Sequence, residues 1–349
     1  MKRLEVISKA LTGLGLTPDE VGCPRGVSSS ALSDLMDCLT YVLFPEYTHP
    51  PKSCTSSHAF HADRNTNLEH TISHMADIMT AQLHCAFILQ GHTRRISDGT
   101  QQRKNSGGEG EEQSKNNSVP IGNNSLSPSE GDNFSRGAQK KADEITEIFL
   151  TQKLQHLRWL LRTDAEAIFQ NDVAATSLSE VILCYPGLRC MRYQRTAHIL
   201  YHLGAPNNFT RLLTEMAHST TGIDIHPATS IGHHFFIDHG TGIVIGASAI
   251  IGNYVSIYQG VTLGAKSFPV DKKTGERIRF LARHPIIEDG VTIYANAVVL
   301  GRVRIGKGST IGGNCWVVQD LPPGSVIAQK PSLKLSRVDM MFHENGSGI

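Results

Sequence analysis

His239 stands in the segment Asp238-His-Gly-Thr-Gly242, where two glycines turn the backbone beside an imidazole and a carboxylate. An imidazole takes and returns a proton near neutral pH, so His239 reads as a general base. A carboxylate on the other ring nitrogen would fix its tautomer and stabilise the imidazolium. Asp224, 15 residues earlier, is the candidate for that role. A second histidine closes the polar, basic stretch AKSFPVDKKTGERIRFLARHP, which ends in Arg283-His284-Pro285. Blander readings exist for each. A lone histidine on a repeat protein is ordinarily a solvated corner residue, Asp224 could cap a turn, and Arg283-His284 could be a solvated loop end. The adjacent His233 and His234 would face opposite ways on a strand and read as surface residues.

The element that must position these groups is a six-residue beat. Aliphatic residues fall at Ile225, Ile231 and Ile237, then at Ile245, Ile251, Ile257 and Leu263, and again at Ile287, Ile293, Val299, Ile305, Ile311 and Val317. The residue two places earlier is usually also small or aliphatic, so each unit offers a short strand with inward side chains. Three units make one turn of a triangular coil, and stacked coils bury a continuous apolar column. That pattern predicts a left-handed parallel β-helix of hexapeptide repeats. Two spacings break it. Ile237 to Ile245 is eight, so the His239 segment carries two extra residues. Leu263 to Ile287 is 24, so 18 residues are inserted before Ile287. A solenoid tolerates insertions at its corners, where function collects, and both breaks carry histidine.

The rest of the chain is predicted to be helical, giving an α+β protein. A Ser28-Ser-Ser30 cap precedes Leu32, Leu35, Met36, Leu39 and Val42 at helical spacing. Leu68 to Leu89 forms a second stripe, and helical pattern resumes at Ala142, around Ala165 to Asn171 and from Arg189 to Leu203. Between about 91 and 140 the composition turns to Ser, Asn, Gly, Gln and Glu, which predicts a disordered insert. The expected organisation is an extension over 1–27, a helical domain over 28–221, a β-helix over 222–335 and a flexible tail over 336–349.

Composition narrows the function classes. In 349 residues the formal net charge is only +1, so no basic excess exists to drive nucleic-acid binding. Seven scattered cysteines without a C-x-x-C pair argue for a reduced, cytoplasmic protein rather than a disulfide scaffold or structural zinc site. No stretch approaches a transmembrane helix, and Glu5 with no arginine beyond Arg3 in the first 16 residues argues against an organelle leader.

Four segments together resemble the serine O-acetyltransferases: Gly222-Ile-Asp-Ile-His-Pro-Ala228, Asp238-His-Gly-Thr-Gly242, Arg283-His-Pro285 and DVAATSLSEVILCYPG from Asp172 to Gly187. The similarity covers roughly residues 28 to 90 and 141 to 335. It implies acetyl transfer from acetyl-CoA to the hydroxyl of L-serine, the first step toward cysteine, with cysteine as feedback inhibitor. His239 and Asp224 would be catalytic. Asp172 and Asp238 would receive the serine ammonium, and Arg283 and His284 would be the cations near its carboxylate, completing a neighbouring subunit's pocket in a trimer or dimer of trimers. The pantetheine arm of acetyl-CoA would lie against Gly264, Ala265, Ala295, Thr310 and Gly313, with no metal or other cofactor. Two departures stand out: Ala247 replaces a common glutamate, and Val173 replaces a proline. The terminal Ile349, with its free carboxylate, suits insertion into a pocket of O-acetylserine sulfhydrylase, as relatives do, though most chain ends are simply frayed. Three other readings stay open: a sugar-directed acetyltransferase, a catalytically weak scaffold for sulfhydrylase, and a zinc hydratase using His226, His239 and His284.

Overall fold

A computed structural model describes residues 26–54, 64–105, 128–279 and 281–329. Helix α1 (Ser29–Leu43) begins where Ser28 accepts a hydrogen bond from the Ala31 amide, and it buries Leu32, Leu35, Met36 and Leu39 as the spacing predicts. Helices α2 (Arg64–Asn105) and α3 (Pro128–Ile148) pack against each other. The segment expected to be disordered over 91–140 is therefore helical at both ends. Composition misses this because α3 anchors itself with few apolar side chains, among them Ala138, Ala142 and Ile145. A π-helical turn (Phe149–Lys153) leads into α4 (Leu154–Asn171), followed by α5 (Leu178–Cys184), α6 (Pro186–His202) and α7 (Asn207–Thr221).

Gly222, at φ 71°, ends α7 in the left-handed conformation that glycine adopts freely, and the coil begins. The first turn is β1 (Asp224–Ile225), β2 (Ser230–Ile231) and β3 (Phe236–Asp238), and the second is β4 (Val244–Ile245), β5 (Ile250–Ile251) and β6 (Ser256–Tyr258). The third is β7 (Thr262–Gly264), β8 (Ile286–Ile287) and β9 (Thr292–Ile293), and the fourth is β10 (Val298–Leu300), β11 (Arg304–Ile305) and β12 (Thr310–Ile311). β13 (Trp316–Val317) and β14 (Val326–Ile327) follow. All pairings between strands are parallel and run every third strand, giving three faces: β1-β4-β7-β10-β13, β2-β5-β8-β11 and β3-β6-β9-β12-β14. The predicted β-helix is thus the observed fold. Its column of Ile225, Ile237, Ile245, Ile257, Leu263, Ile293, Val299 and Ile311 is no more than 1% exposed.

The register shows where the two irregular spacings go. Asp224 lies under Val244 and Val244 under Thr262, steps of 20 and 18 residues, so the two extra residues sit between β3 and β4, where the third face meets the first. Thr262 lies under Val298, a step of 36, so the long insert leaves between β7 and β8, where the first face meets the second.

An open coil end exposes unpaired carbonyls, and α6 covers them. Cys190 Sγ approaches Ile223 O, Gln194 Nε2 donates to Thr229 O, Arg195 to Ile231 O and Gly232 O, and the His198 ring to Pro227 O. Those positions recur at helical spacing, so one face of the helix caps the bottom coil. Arg195 is itself held by Asp164 of α4 through bonds of 2.6 and 2.8 Å, both side chains being almost wholly buried.

Candidate active site

The two extra residues at the first irregular corner are His239 and Gly240, at φ 52° and 88°. Other corners also use left-handed residues, among them Asn296 and Asn314, so positive φ belongs to the corner itself. What distinguishes His239 is its exposure: the bulge pushes its ring out to 73% exposed, with Asp238 Oδ1 3.9 Å from Nε2. A β-helix side chain on the inward row could not reach a substrate, and this one stands clear of it.

Around the ring the fold gathers acids and phenols. Asp172, at the end of α4, accepts a 2.6 Å bond from Tyr185 Oη and a 2.8 Å bond from the Ala174 amide. Those bonds, with a smaller contribution from His239, hold its carboxyl below the usual range, so it stays an anion. The same bond pushes the Tyr185 phenol up to about 12. Tyr185 is placed by α6, whose Gly187 lies so close to β3 that a Cβ there would sit 2.7 Å from Ile237 O. Asp238 pairs in register with Tyr258, which stacks on Tyr294 at 4.9 Å. Tyr185 and Tyr258 were not singled out from the sequence. Tyr185 lay inside the segment quoted for the resemblance, where its hydroxyl was the available signal.

Asp224 opens β1 at the same vertex, its side chain 31% exposed. Its ion-pair partner is Arg211 of α7 at 3.8 Å, and no hydrogen bond joins it to His239. The structure therefore brings the expected pair to one corner without closing the contact.

Arg283 and His284 lie elsewhere, on the edge between the first and second faces. The His284 ring rests on Gly246, where a Cβ would be 2.1 Å away, and its Nδ1 accepts from Ser248 at 2.8 Å to Oγ and 3.2 Å to N. Burial, followed by Arg283 and Arg302, pushes its pKa down to about 4. The expectation that His284 acts as a cation is corrected: at neutral pH it is an uncharged ring whose Nε2–H can donate. His226 shares that edge and is likewise pushed down to about 4 by burial, then Arg211 and His284. The Arg283 guanidinium lies 5.5 Å from the Phe268 ring within the inserted loop. Ala247, at the site of the missing glutamate, belongs to this edge.

The expected donor-binding residues divide in the same way. Ala295 and Gly313 stack on the His239 edge, where the Asn314 amide donates to Ala295 O, and Thr310 lies beside them on the third face. Gly264 and Ala265 begin the inserted loop on the His284 edge. One chain thus carries two half-sites, and Ile349 lies outside the described residues.

Residues 284–319 match the family model described as bacterial transferase hexapeptide (six repeats). The serine acetyltransferase of Mycobacterium tuberculosis is 42% identical over 171 residues, which cover 49% of this chain and 70% of that protein. This chain belongs to the serine acetyltransferase family. The plasmid-encoded serine acetyltransferase of Synechococcus elongatus is 53% identical over 208 residues, 60% of this chain and 62% of that relative's length. The solved structure of isoform 3 from Entamoeba histolytica, in complex with cysteine, shares 30% identity, covers 90% of this chain and 87% of its own, and superposes with a TM-score of 0.59. A serine acetyltransferase is an acyltransferase, which leaves no place for the zinc hydratase reading of His226, His239 and His284. No helix among the described residues is long and apolar enough to cross a membrane.

Proposed function

We propose that the chain transfers the acetyl group of acetyl-CoA to the hydroxyl of L-serine, giving O-acetylserine and CoA. The observation that carries this reading is His239, lifted clear of the coil by a two-residue bulge and flanked by the anions Asp238 and Asp172. Neutral His239 takes the serine Oγ proton as Oγ attacks the thioester carbonyl carbon. The tetrahedral adduct then expels the CoA thiolate, which recovers the proton from the imidazolium. Asp224 stabilises that imidazolium once substrate binding draws it from Arg211. Asp172 and Asp238 take the serine ammonium. Imidazole and thioester suffice for this chemistry, so the reading calls for no metal and no further cofactor.

A complete pocket takes a second copy. Above Asp224 the outward residues of the first face are Val244, Thr262, Val298 and Trp316, with Trp316 67% exposed. Packing of copies around that apolar face sets the Arg283–His284 edge of one against the His239 edge of the next. Such a head-to-tail contact closes a ring of three. Arg283 then supplies charge, and His284 a neutral N–H, to the serine carboxylate. The pantetheine arm runs between Ala295 and Gly313 of one copy and Gly264 and Ala265 of the other, with Thr310 nearby. Cysteine, which is bound in the Entamoeba structure, would compete in the serine pocket as a feedback inhibitor. Docking of Ile349 into sulfhydrylase and a cytoplasmic location belong to the same reading.

The test is release of CoA thiol from acetyl-CoA with purified protein, comparing L-serine with hexosamines. Serine-dependent release that is lost in His239→Ala is expected. Turnover of hexosamine alone would transfer the assignment to a sugar acceptor, and no release above the His239→Ala control would leave a scaffold.

A further inference from the structure

Arg192, on the face of α6 turned toward α1, is only 9% exposed, yet among the described residues it forms no ion pair within 4 Å. Its one hydrogen bond runs from Nη1 to Thr40 Oγ1 at 2.9 Å, and Nε has no partner among those residues. A guanidinium carries five N–H donors, and a buried charge without a counterion is strongly disfavoured. Beside it lies a cavity of about 340 Å³ between α1, α5, α6 and α7, lined also by Arg189, Tyr193, Thr48 and Asp37. That volume falls at the small end of the range, roughly 300 to 1,000 Å³, that holds metabolites.

Asp37 does not fill the counterion role. Burial and the neighbouring Asp34 push its carboxyl up, outweighing the pull of Arg192 and Arg189. Two guanidiniums, a phenol and two threonine hydroxyls thus converge on an empty volume with no anion to match them. Arginine is the side chain suited to bidentate capture of a planar or tetrahedral oxyanion.

We propose that this cleft in the helical domain is a binding site for a small metabolite bearing a carboxylate or sulfate group, gripped by Arg192 and Arg189. It lies apart from the His239 corner, and its occupancy does not depend on the acetyl-transfer reading. The ligand bridges α1 to α6, the helix that also caps the first coil and carries the Tyr185 end of the site.

The experiment is titration calorimetry of the full chain with sodium sulfate and, separately, sodium succinate, at constant ionic strength set with chloride, alongside thermal melting. Saturable binding by the wild type is expected. Arg189→Gln should weaken it about tenfold, the loss of one charge-assisted contact. Arg192→Met should abolish it while melting at or above the wild-type temperature, because it removes an uncompensated buried charge. A purely structural arginine would give the opposite sign. Wild-type affinity in both variants, absence of saturable binding of either anion, or an Arg192→Met protein that melts well below wild type would each overturn the proposal. A stronger response to succinate than to sulfate would identify the ligand as a carboxylate.

Discussion

Tyr185 Oη and Asp172 Oδ2 are 2.6 Å apart, and that bond ties the start of α6 to the end of α4 beside the catalytic corner. The phenol donates, so the carboxylate is both oriented and kept charged. Tyr185→Phe removes the donor while keeping the ring. If Asp172 receives the serine ammonium, KM for serine should rise by about fivefold with kcat little changed, since the remaining Ala174 bond is solvent-exposed and compensates only in part. Steady-state kinetics with serine varied at saturating acetyl-CoA checks this. An unchanged KM would remove Asp172 from the serine pocket.

Asp224 faces a choice between Arg211, 3.8 Å away, and the imidazole that shares its corner. If it serves His239, Asp224→Asn lowers the basicity of the ring. The acidic limb of kcat/KM against pH should then move to lower pH, and kcat should fall at least about tenfold. His239→Ala should fall further, by roughly 10²- to 10⁴-fold, the span of a lost general base. Neither change should lower the melting temperature appreciably, because both side chains point away from the packed column. An Asp224→Asn enzyme with an unmoved acidic limb would assign Asp224 to the Arg211 contact alone.

The fold was legible because burial in a β-helix is periodic: a spacing of six can be met only by a three-sided coil, and its two lapses map onto the corners that carry His239 and the inserted loop. The site was legible only in halves. Nothing in the spacing of 239 and 284 says that they occupy different edges, because position around a coil is counted modulo 18 and the insert hides the count. The charge of His284 was also out of reach, since it depends on Gly246 admitting the ring to a buried seat. The helical ends of the 91–140 segment escaped for a different reason. Composition reports how much apolar surface a stretch offers, whereas α3 needs only a narrow stripe against α2.

The buried seat of His284 has a consequence for acid stability. An unfolded imidazole protonates below about pH 6.5, and this one resists until about 4, so in that window the unfolded state binds more protons and is favoured. Stability contributed by the neutral ring is present above pH 6.5, declines as pH falls, and is gone below 4. A shift of this size sets an upper bound of about 3 kcal/mol. His226 adds a decline of the same sign. His284→Gln keeps an acceptor for Ser248 without titrating, so its melting temperature should fall less steeply between pH 6.5 and 4 than that of the wild type. Equal slopes would mean that the ring is solvated in the assembled protein.

His239 and His284 stand on opposite edges of the first face, a strand width or on the order of 15 Å apart. No rotamer change within one chain brings them together, whereas the apolar face between them, from Val244 to Trp316, is suited to a neighbouring copy. Complementation follows from that geometry. His239→Ala and Arg283→Ala proteins, each nearly inactive alone, should regain activity when unfolded together and refolded. In a ring of three assembled at random from equal amounts, a pocket needs His239 from one copy and Arg283 from the next. About one contact in four then joins an intact base to an intact arginine, so roughly a quarter of wild-type activity should return. Refolding each protein separately before mixing should give none, provided subunits do not exchange. If the co-refolded mixture stays as inactive as its parents, the two half-sites do not meet across a subunit boundary, and Arg283 must reach His239 by rearrangement of the inserted loop in its own chain.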